Sequence, residues 1–276
     1  TLSVNYKIDN TAKDHRMRLV IRTGVDTDSI ITDIPFDILQ HKDNAHFEVT
    51  MSKVVANTSF ALLENDRNGM AVFTEGMHEA EHLPDEKAIA LTMVRCTGVV
   101  SRHADLSEGG GENWRAPENQ CIRTVTGRAG ILPYTGGYIN TGVYKYSKLF
   151  RNKPLAYFTS CDSRKFKVGR ATVQETDLQD YYYIQDPYAK VKIKDNSSLV
   201  EVLGTGVSVS ALKKSEGGDG IILRAVNLDE KAKGVIYKTT MHEKRRDYIC
   251  SNSFKCNLPS KKIATYCIDK NYGESE

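Results

Sequence analysis

His78-Glu79-Ala80-Glu81-His82 has the spacing of a zinc hydrolase motif, in which two histidines one helical turn apart hold the metal and the glutamate activates a water. That chemistry requires a helix. Gly76 precedes the segment and Pro84 follows it, between apolar alternating runs that end near Thr74 and resume near Ala88. Only about two helical turns fit between those breakers, and no third ligand is marked downstream. The segment is therefore expected to be a polar connection between strands, not a metal centre.

No other catalytic signature replaces it. The chain has 35 acidic residues, but Asp66, Asp85, Glu86 and Asp219 sit in turn-like sequence where solvated charge is the ordinary explanation, and spacing nominates no carboxylate pair. A nucleophile elbow, a phosphate loop and a dinucleotide fingerprint are all missing from the sequence. The six cysteines (Cys96, Cys121, Cys161, Cys250, Cys256, Cys267) fit no zinc pattern and no disulfide framework, so reduced, mostly buried thiols are expected.

The elements that would position any site are strands. Apolar residues recur with period two at 17–21, 46–51, 60–63, 70–73, 88–94, 207–212, 221–226, 235–238 and 263–268, and no run of comparable length has a helical period. Asn68-Gly69 and Gly217-Gly218-Asp219-Gly220 lie between such runs and read as hairpin turns, since Asn, Asp and Gly tolerate positive φ. Leu2, Val4, Tyr6 and Ile8 alternate from the second residue on, so the chain opens inside a strand pattern, as a piece of a longer protein does.

Two stretches interrupt this rhythm. Ser107–Pro117, with Gly109-Gly110-Gly111, reads as a long loop of the kind that often carries function, and Glu175–Asp195, with Tyr181-Tyr182-Tyr183, reads as a crossing between domains. The expected architecture is all-β: a large antiparallel β-sandwich over 1–185, then a smaller β-sandwich domain over 186–276.

Composition excludes several partners. The chain has 276 residues, 40% of them apolar, which is enough for a sizeable core. Its net charge of +3 is small and evenly spread, which argues against nucleic acid. There is no apolar run long enough to span a bilayer, and a cytoplasmic location is the default expectation. Self-association is left open.

Several short strings, in order, resemble the C-terminal region of family 38 glycoside hydrolases, the α-mannosidases. They are Asp14-His15-Arg16-Met17-Arg18-Leu19, Asp33-Ile34-Pro35-Phe36-Asp37, Arg67-Asn68-Gly69-Met70-Ala71-Val72, Glu75-Gly76-Met77-His78-Glu79 and Ile89-Ala90-Leu91-Thr92-Met93-Val94-Arg95. Val100-Ser101-Arg102 and Pro117-Glu118-Asn119-Gln120-Cys121 follow, and the likeness resumes at Val207–Lys213 and Asp219–Arg224. The bacterial mannosylglycerate hydrolase branch is the most similar. Met241–Cys256 departs from the pattern.

The resemblance implies a galactose mutarotase-like supersandwich, truncated at its N-terminal side. It also implies an N-terminal catalytic barrel that holds zinc and an aspartate nucleophile acting with retention, with no cofactor in this chain itself. In such enzymes the β region lends a loop to the rim of the active site. Arg102 can donate to sugar hydroxyls or a carboxylate, Asp105 can accept, and the only tryptophan, Trp114, can stack on a pyranose ring. A structural role is the competing reading: Arg102 paired with Asp105, and Trp114 pinning the loop. The partners expected are an α-mannoside and the barrel of the same polypeptide. The rival function is a carbohydrate-binding or interaction module without catalysis, since a sandwich fold alone does not decide between them.

Overall fold

The computed structural model describes residues 1–43, 53–101, 114–156, 198, 200–216, 220–242 and 249–268. Within them the fold is all-β and antiparallel, as the alternation predicts. A six-stranded sheet has the order β1-β12-β7-β6-β3-β4. Its strands are β1 (Leu2–Asp9), β3 (Ser29–Ile34), β4 (Asp37–Lys42), β6 (Phe60–Glu64), β7 (Gly69–Glu75) and β12 (Thr124–Tyr134). A four-stranded sheet, β2-β9-β8-β5, is built from β2 (Arg16–Arg22), β5 (Val54–Ala56), β8 (Glu79–Leu83) and β9 (Ala88–Arg95).

These two sheets enclose one core, in which Ile30, Ala61, Leu63, Val72 and Ala129 of the first meet Ile21, Ala80, Ile89 and Leu91 of the second. The opposite face of the six-stranded sheet is also covered. Phe60, Leu62, Ala71 and Phe73 point there and pack on Val143 and Tyr144 of a helix and on Val226 and Leu228 of the second unit. Successive residues of a strand face opposite ways, so a strand covered on both sides needs apolar residues throughout. Phe60-Ala61-Leu62-Leu63 is that run.

The covering helices, α1 (Tyr138–Thr141) and α2 (Val143–Arg151), were not expected. In α2 the buried residues are Val143, Tyr144 and Ser147, the i, i+1, i+4 stripe of a helix lying on a sheet. The stripe spans barely two turns and includes a serine, too faint to register as a 3.6 period beside long strands.

Asn68-Gly69 is corrected in detail. The hairpin between β6 and β7 exists, but its turn is Asn65–Asn68: the Asn65 side chain accepts from the backbone N–H groups of Arg67 and Asn68 at 3.0 and 3.1 Å. Gly69 is already in β7, opposite Tyr134 in the neighbouring strand. A Cβ on Gly69 would sit 2.4 Å from Cζ of Tyr134, so the residue is glycine to let the tyrosine ring cross the strand.

The second unit is a small sandwich of two three-stranded sheets, β13-β16-β17 and β14-β15-β18. It comprises β13 (Val200–Leu203), β14 (Val207–Lys214), β15 (Ile221–Asn227), β16 (Lys233–His242), β17 (Ile249–Leu258) and β18 (Ile263–Ile268). Val207, Leu223, Ala225, Val235, Tyr237 and Leu258 form its core. Ser215 and Gly220 close the β14–β15 hairpin, with Ser215 N–H donating to the Gly220 carbonyl at 2.8 Å. Residues 217–219 of that turn, the expected strand at 46–51, and the Glu175–Asp195 crossing with its domain boundary near 185 lie outside the described residues. Among the described residues no helix is long and apolar enough to cross a membrane.

Candidate functional site

The segment expected to carry function is the loop between Ser101 and Gln120, and its two feet are well defined. Short strands β10 (Val99–Ser101) and β11 (Trp114–Arg115) pair antiparallel, with Ser101 opposite Trp114. The Ala116 N–H donates to the Gly98 carbonyl at 2.9 Å, and Pro117–Gln120 forms a 3-10 turn that ends at Cys121 in the left-handed region, φ 49°.

Three side chains lock those feet to the start of the large sandwich. Asp14 and Gln120 bond reciprocally: the Asp14 N–H donates to Gln120 Oε1 at 2.8 Å, while Gln120 Nε2 donates back to Asp14 Oδ1 at 2.8 Å. The same Asp14 oxygen accepts from the Gly98 N–H at 3.0 Å. Gly98 lies close under this pair: a Cβ there would be 2.6 Å from Gln120 Nε2 and would push that side chain aside. Beneath them the buried Asn10 amide donates to the carbonyls of Gln120 and Cys121 at 3.0 and 2.9 Å and to Cys96 Sγ at 3.3 Å. Burial, above all, pushes the Cys96 thiol up, which marks it as a packing residue and not a nucleophile. Cys96, Cys121, Cys256 and Cys267 are free.

Of the three residues singled out in the sequence, Arg102 and Asp105 lie outside the described residues. Trp114 opens β11, paired with Ser101, and its side chain lies outside the described part. The structure thus fixes where the loop leaves and returns. Sequence reasoning missed Asn10, Asp14 and Gln120 as the groups that hold it. Asp14 and Gln120 each stood in a segment that resembles the family, but nothing in either segment said that they meet.

His78–His82 is not the connection that its polarity suggested. Glu79–Leu83 is β8, an internal strand paired with β5 on one side and β9 on the other. His78 lies just before the strand, its carbonyl accepting from the Asn57 N–H, and His82 lies within it, so extended chain at about 3.3 Å per residue runs between the two imidazoles and does not stack them as a helical turn would. Each polar side chain has a partner of its own. His78 Nδ1 lies 3.2 Å from the Asn57 carbonyl, and the buried His82 has Nδ1 at 2.9 Å from Asp43 Oδ1. Glu79 pairs with Arg95 at 2.7 Å, and Glu81 receives both Arg16 and Arg18 at 2.6 and 2.8 Å.

Alternation alone would put Met17 with Leu19, away from Arg16 and Arg18. A bulge between Met17 and Arg18 shifts the register, and Met17 is exposed whereas Leu19 is half-buried. Among the described residues no group of three or more His, Cys, Asp and Glu side chains could hold a metal. The donor set for the zinc that the resemblance implies is therefore not found in them.

No protein-family model matches the chain. Over 246 residues, 87% of its length, it is 26% identical to a protein of Halalkalibacterium halodurans named "Putative mannosylglycerate hydrolase", and it spans only 23% of that relative. Its fold is similar to that of an α-mannosidase from Enterococcus faecalis V583, with a TM-score of 0.67, 18% identity, and coverage of 97% of this chain and 27% of that one. A second structure, a glycosyl hydrolase family 38 protein from Enterococcus faecalis, gives a TM-score of 0.66 at 19% identity, covering 97% and 28%. The resemblance read from the residues is borne out by these likenesses. The chain spans about a quarter of the length of each of these proteins.

Proposed function

We propose that this chain is the C-terminal β region of a family 38 glycoside hydrolase, an α-mannosidase whose catalytic barrel lies elsewhere in the polypeptide. The intact enzyme hydrolyses α-linked mannosides, with mannosylglycerate a leading candidate. The observation that carries this reading is the likeness along nearly the whole chain, in sequence to a named mannosylglycerate hydrolase and in fold to α-mannosidase structures. Both sandwiches take part in it, so a chance match of one common β motif is not the explanation.

In this reading the chain's own contribution is architectural and steric. The Asn10–Asp14–Gln120 cluster presents the 101–114 loop, and Arg102, Asp105 and Trp114 meet the sugar or its aglycone at the rim of the site. Zinc and the aspartate nucleophile belong to the barrel.

The test is a chimaera in which this chain replaces the matched region of the Halalkalibacterium halodurans relative. Hydrolysis of an aryl α-mannoside and of mannosylglycerate is expected from the chimaera, and none from the relative lacking the region or from this chain alone. A monodisperse, folded chimaera that hydrolyses neither would remove the reading. Tight mannoside binding by the chain alone would then favour the carbohydrate-binding module.

A further inference from the structure

Between the two sandwiches runs a cleft of about 530 Å³, floored by apolar side chains of both units and walled on one side by the last turn of α2. That volume lies within the range of small-molecule pockets. Three carboxylates line it, and each is already engaged. Asp33 accepts from the N–H groups of Thr58, Ser59 and Phe60 and from the Ser59 hydroxyl, the shortest contact being 2.6 Å. Asp37 pairs with Lys261 at 2.7 Å, and Glu75 pairs with Arg128 at 2.8 Å.

The two cations on the α2 wall have no carboxylate among the described residues. Lys148 donates to the Ser208 hydroxyl and to the Val209 carbonyl, the latter at 3.0 Å. Arg151 donates to the Thr58 carbonyl at 3.1 Å. Partial burial holds the Lys148 amine below its ordinary range, although the residue as a whole is exposed. The acceptors that it does have are neutral. The negative C-terminal end of the helix dipole favours cations there and opposes an anion, so an anion at this place has to be held by the two side chains.

At the same cleft lies Phe36, and its backbone is strained. The hairpin between β3 and β4 is only Pro35-Phe36, with Ile34 opposite Asp37. Of the turns that take proline first, the type II turn has positive φ at the second position, a place for glycine or asparagine. Phe36 occupies it with φ 68°, and the residue is 49% exposed. A bulky side chain held in this region costs free energy, and burial of the ring does not repay it. Stacking on the carbon skeleton of a ligand would.

We propose that the interdomain cleft is a binding site for a small organic anion, a phosphorylated or carboxylated sugar or polyol, with Lys148 and Arg151 taking the anionic group and the Phe36 ring taking the carbon body. Ser208 and Ser210 also line the cleft, the Ser208 hydroxyl accepting from Lys148 and the Ser210 hydroxyl donating to the Arg224 carbonyl. This site does not depend on the glycosidase reading, and it is built wholly from described residues of this chain.

The experiment is calorimetric titration of the full chain at low ionic strength with glucose 6-phosphate, gluconate and uncharged glucose. One-to-one binding of at least one anion, well above that of glucose, is expected. Which anion binds tells a phosphate ligand from a carboxylate. Lys148→Met and Arg151→Gln are each expected to weaken that binding about tenfold, near the low end for losing a hydrogen bond to a charged group. Lys7→Ala, an exposed cation on β1, should leave it unchanged. Phe36→Asn should weaken the sugar anion while raising the melting temperature or leaving it unchanged, because it relieves the turn. Binding of glucose as tight as that of both anions, or anion binding undiminished in Arg151→Gln, overturns the proposal. So does a loss of folding in Phe36→Asn, which would show that the ring serves the core. Should Lys148→Met fail to fold, the exposed Arg151→Gln variant still decides.

Discussion

The ring of Phe150, at the end of helix α2, rests on the bare backbone of Gly130 in strand β12. A Cβ added to Gly130 would lie 2.8 Å from Cε2 of Phe150 and 3.1 Å from Cδ2 of Phe73. The same ring lies 5.8 Å from Phe73, centroid to centroid, and carries the Arg128 guanidinium 4.2 Å above its face. Arg128 also donates to the Phe150 carbonyl and pairs with Glu75. One missing side chain in a strand thus decides where the helix docks, and with it the α2 wall of the cleft.

Gly130→Ala should therefore destabilise the fold by about 1 to 3 kcal/mol, the usual cost of overpacking. Pairing it with Phe150→Leu should recover part of the loss. Denaturant unfolding of the four proteins in a double-mutant cycle checks this. Strictly additive effects would show that the helix does not rest on this contact.

Lys261 ties the two sandwiches together through Asp37 at 2.7 Å and the Ile38 carbonyl at 3.1 Å, and pairs with Glu230 of its own unit at 3.3 Å. Burial alone would lower its amine, but Asp37 and Glu230 outweigh burial and hold it above the ordinary value of 10.5. A folded-state value above the unfolded one stabilises fully below the unfolded value, and that contribution is lost as pH rises through the folded value. Stability should thus fall on the alkaline side of about 10.5, and Lys261→Met should flatten that limb. Melting curves between neutral and strongly alkaline pH, with and without the substitution, measure it.

The loop feet predict a separation of effects. Gln120→Ala strips Asp14 of its reciprocal partner and should lower stability by about 1 to 3 kcal/mol, the penalty for unmade buried hydrogen bonds. Arg102→Ala, Asp105→Ala and Trp114→Ala should hardly move the melting point. In the intact enzyme they should lower kcat/KM by roughly ten- to a hundred-fold. Unchanged kinetics for all three would make the loop structural.

The position of His82 in β8, with His78 just before that strand, predicts that the purified chain binds no zinc through this pair. Metal analysis after dialysis against zinc should give the same content for the wild type and for His78→Ala/His82→Ala. Stoichiometric zinc lost in the double variant would contradict the geometry.

Hydrolysis is a final check. The chain alone should not turn over aryl α-mannosides, because the nucleophile is assigned to the barrel. Activity that follows the folded chain through purification would refute that assignment.

The sequence by itself determined the strands. Alternation at Leu2–Ile8, the doubly apolar run at Phe60–Leu63 and the period-two stretches of the second unit are local properties, because side-chain direction in a strand follows from the backbone alone. The family likeness was legible for the same reason, carried by short strings kept in order. What tertiary structure decided was everything that depends on residues distant in the chain. Gly69 reads as a turn residue until Tyr134, 65 positions on, is seen crossing it. His78–His82 satisfies a helical motif until β5 and β9 claim it as a central strand. Asp14 meets Gln120, and Lys148 and Arg151 face a cleft whose carboxylates are already taken, only because sheet order brings them together. Local sequence records which way a side chain points, whereas the partner that it finds is settled by long-range pairing.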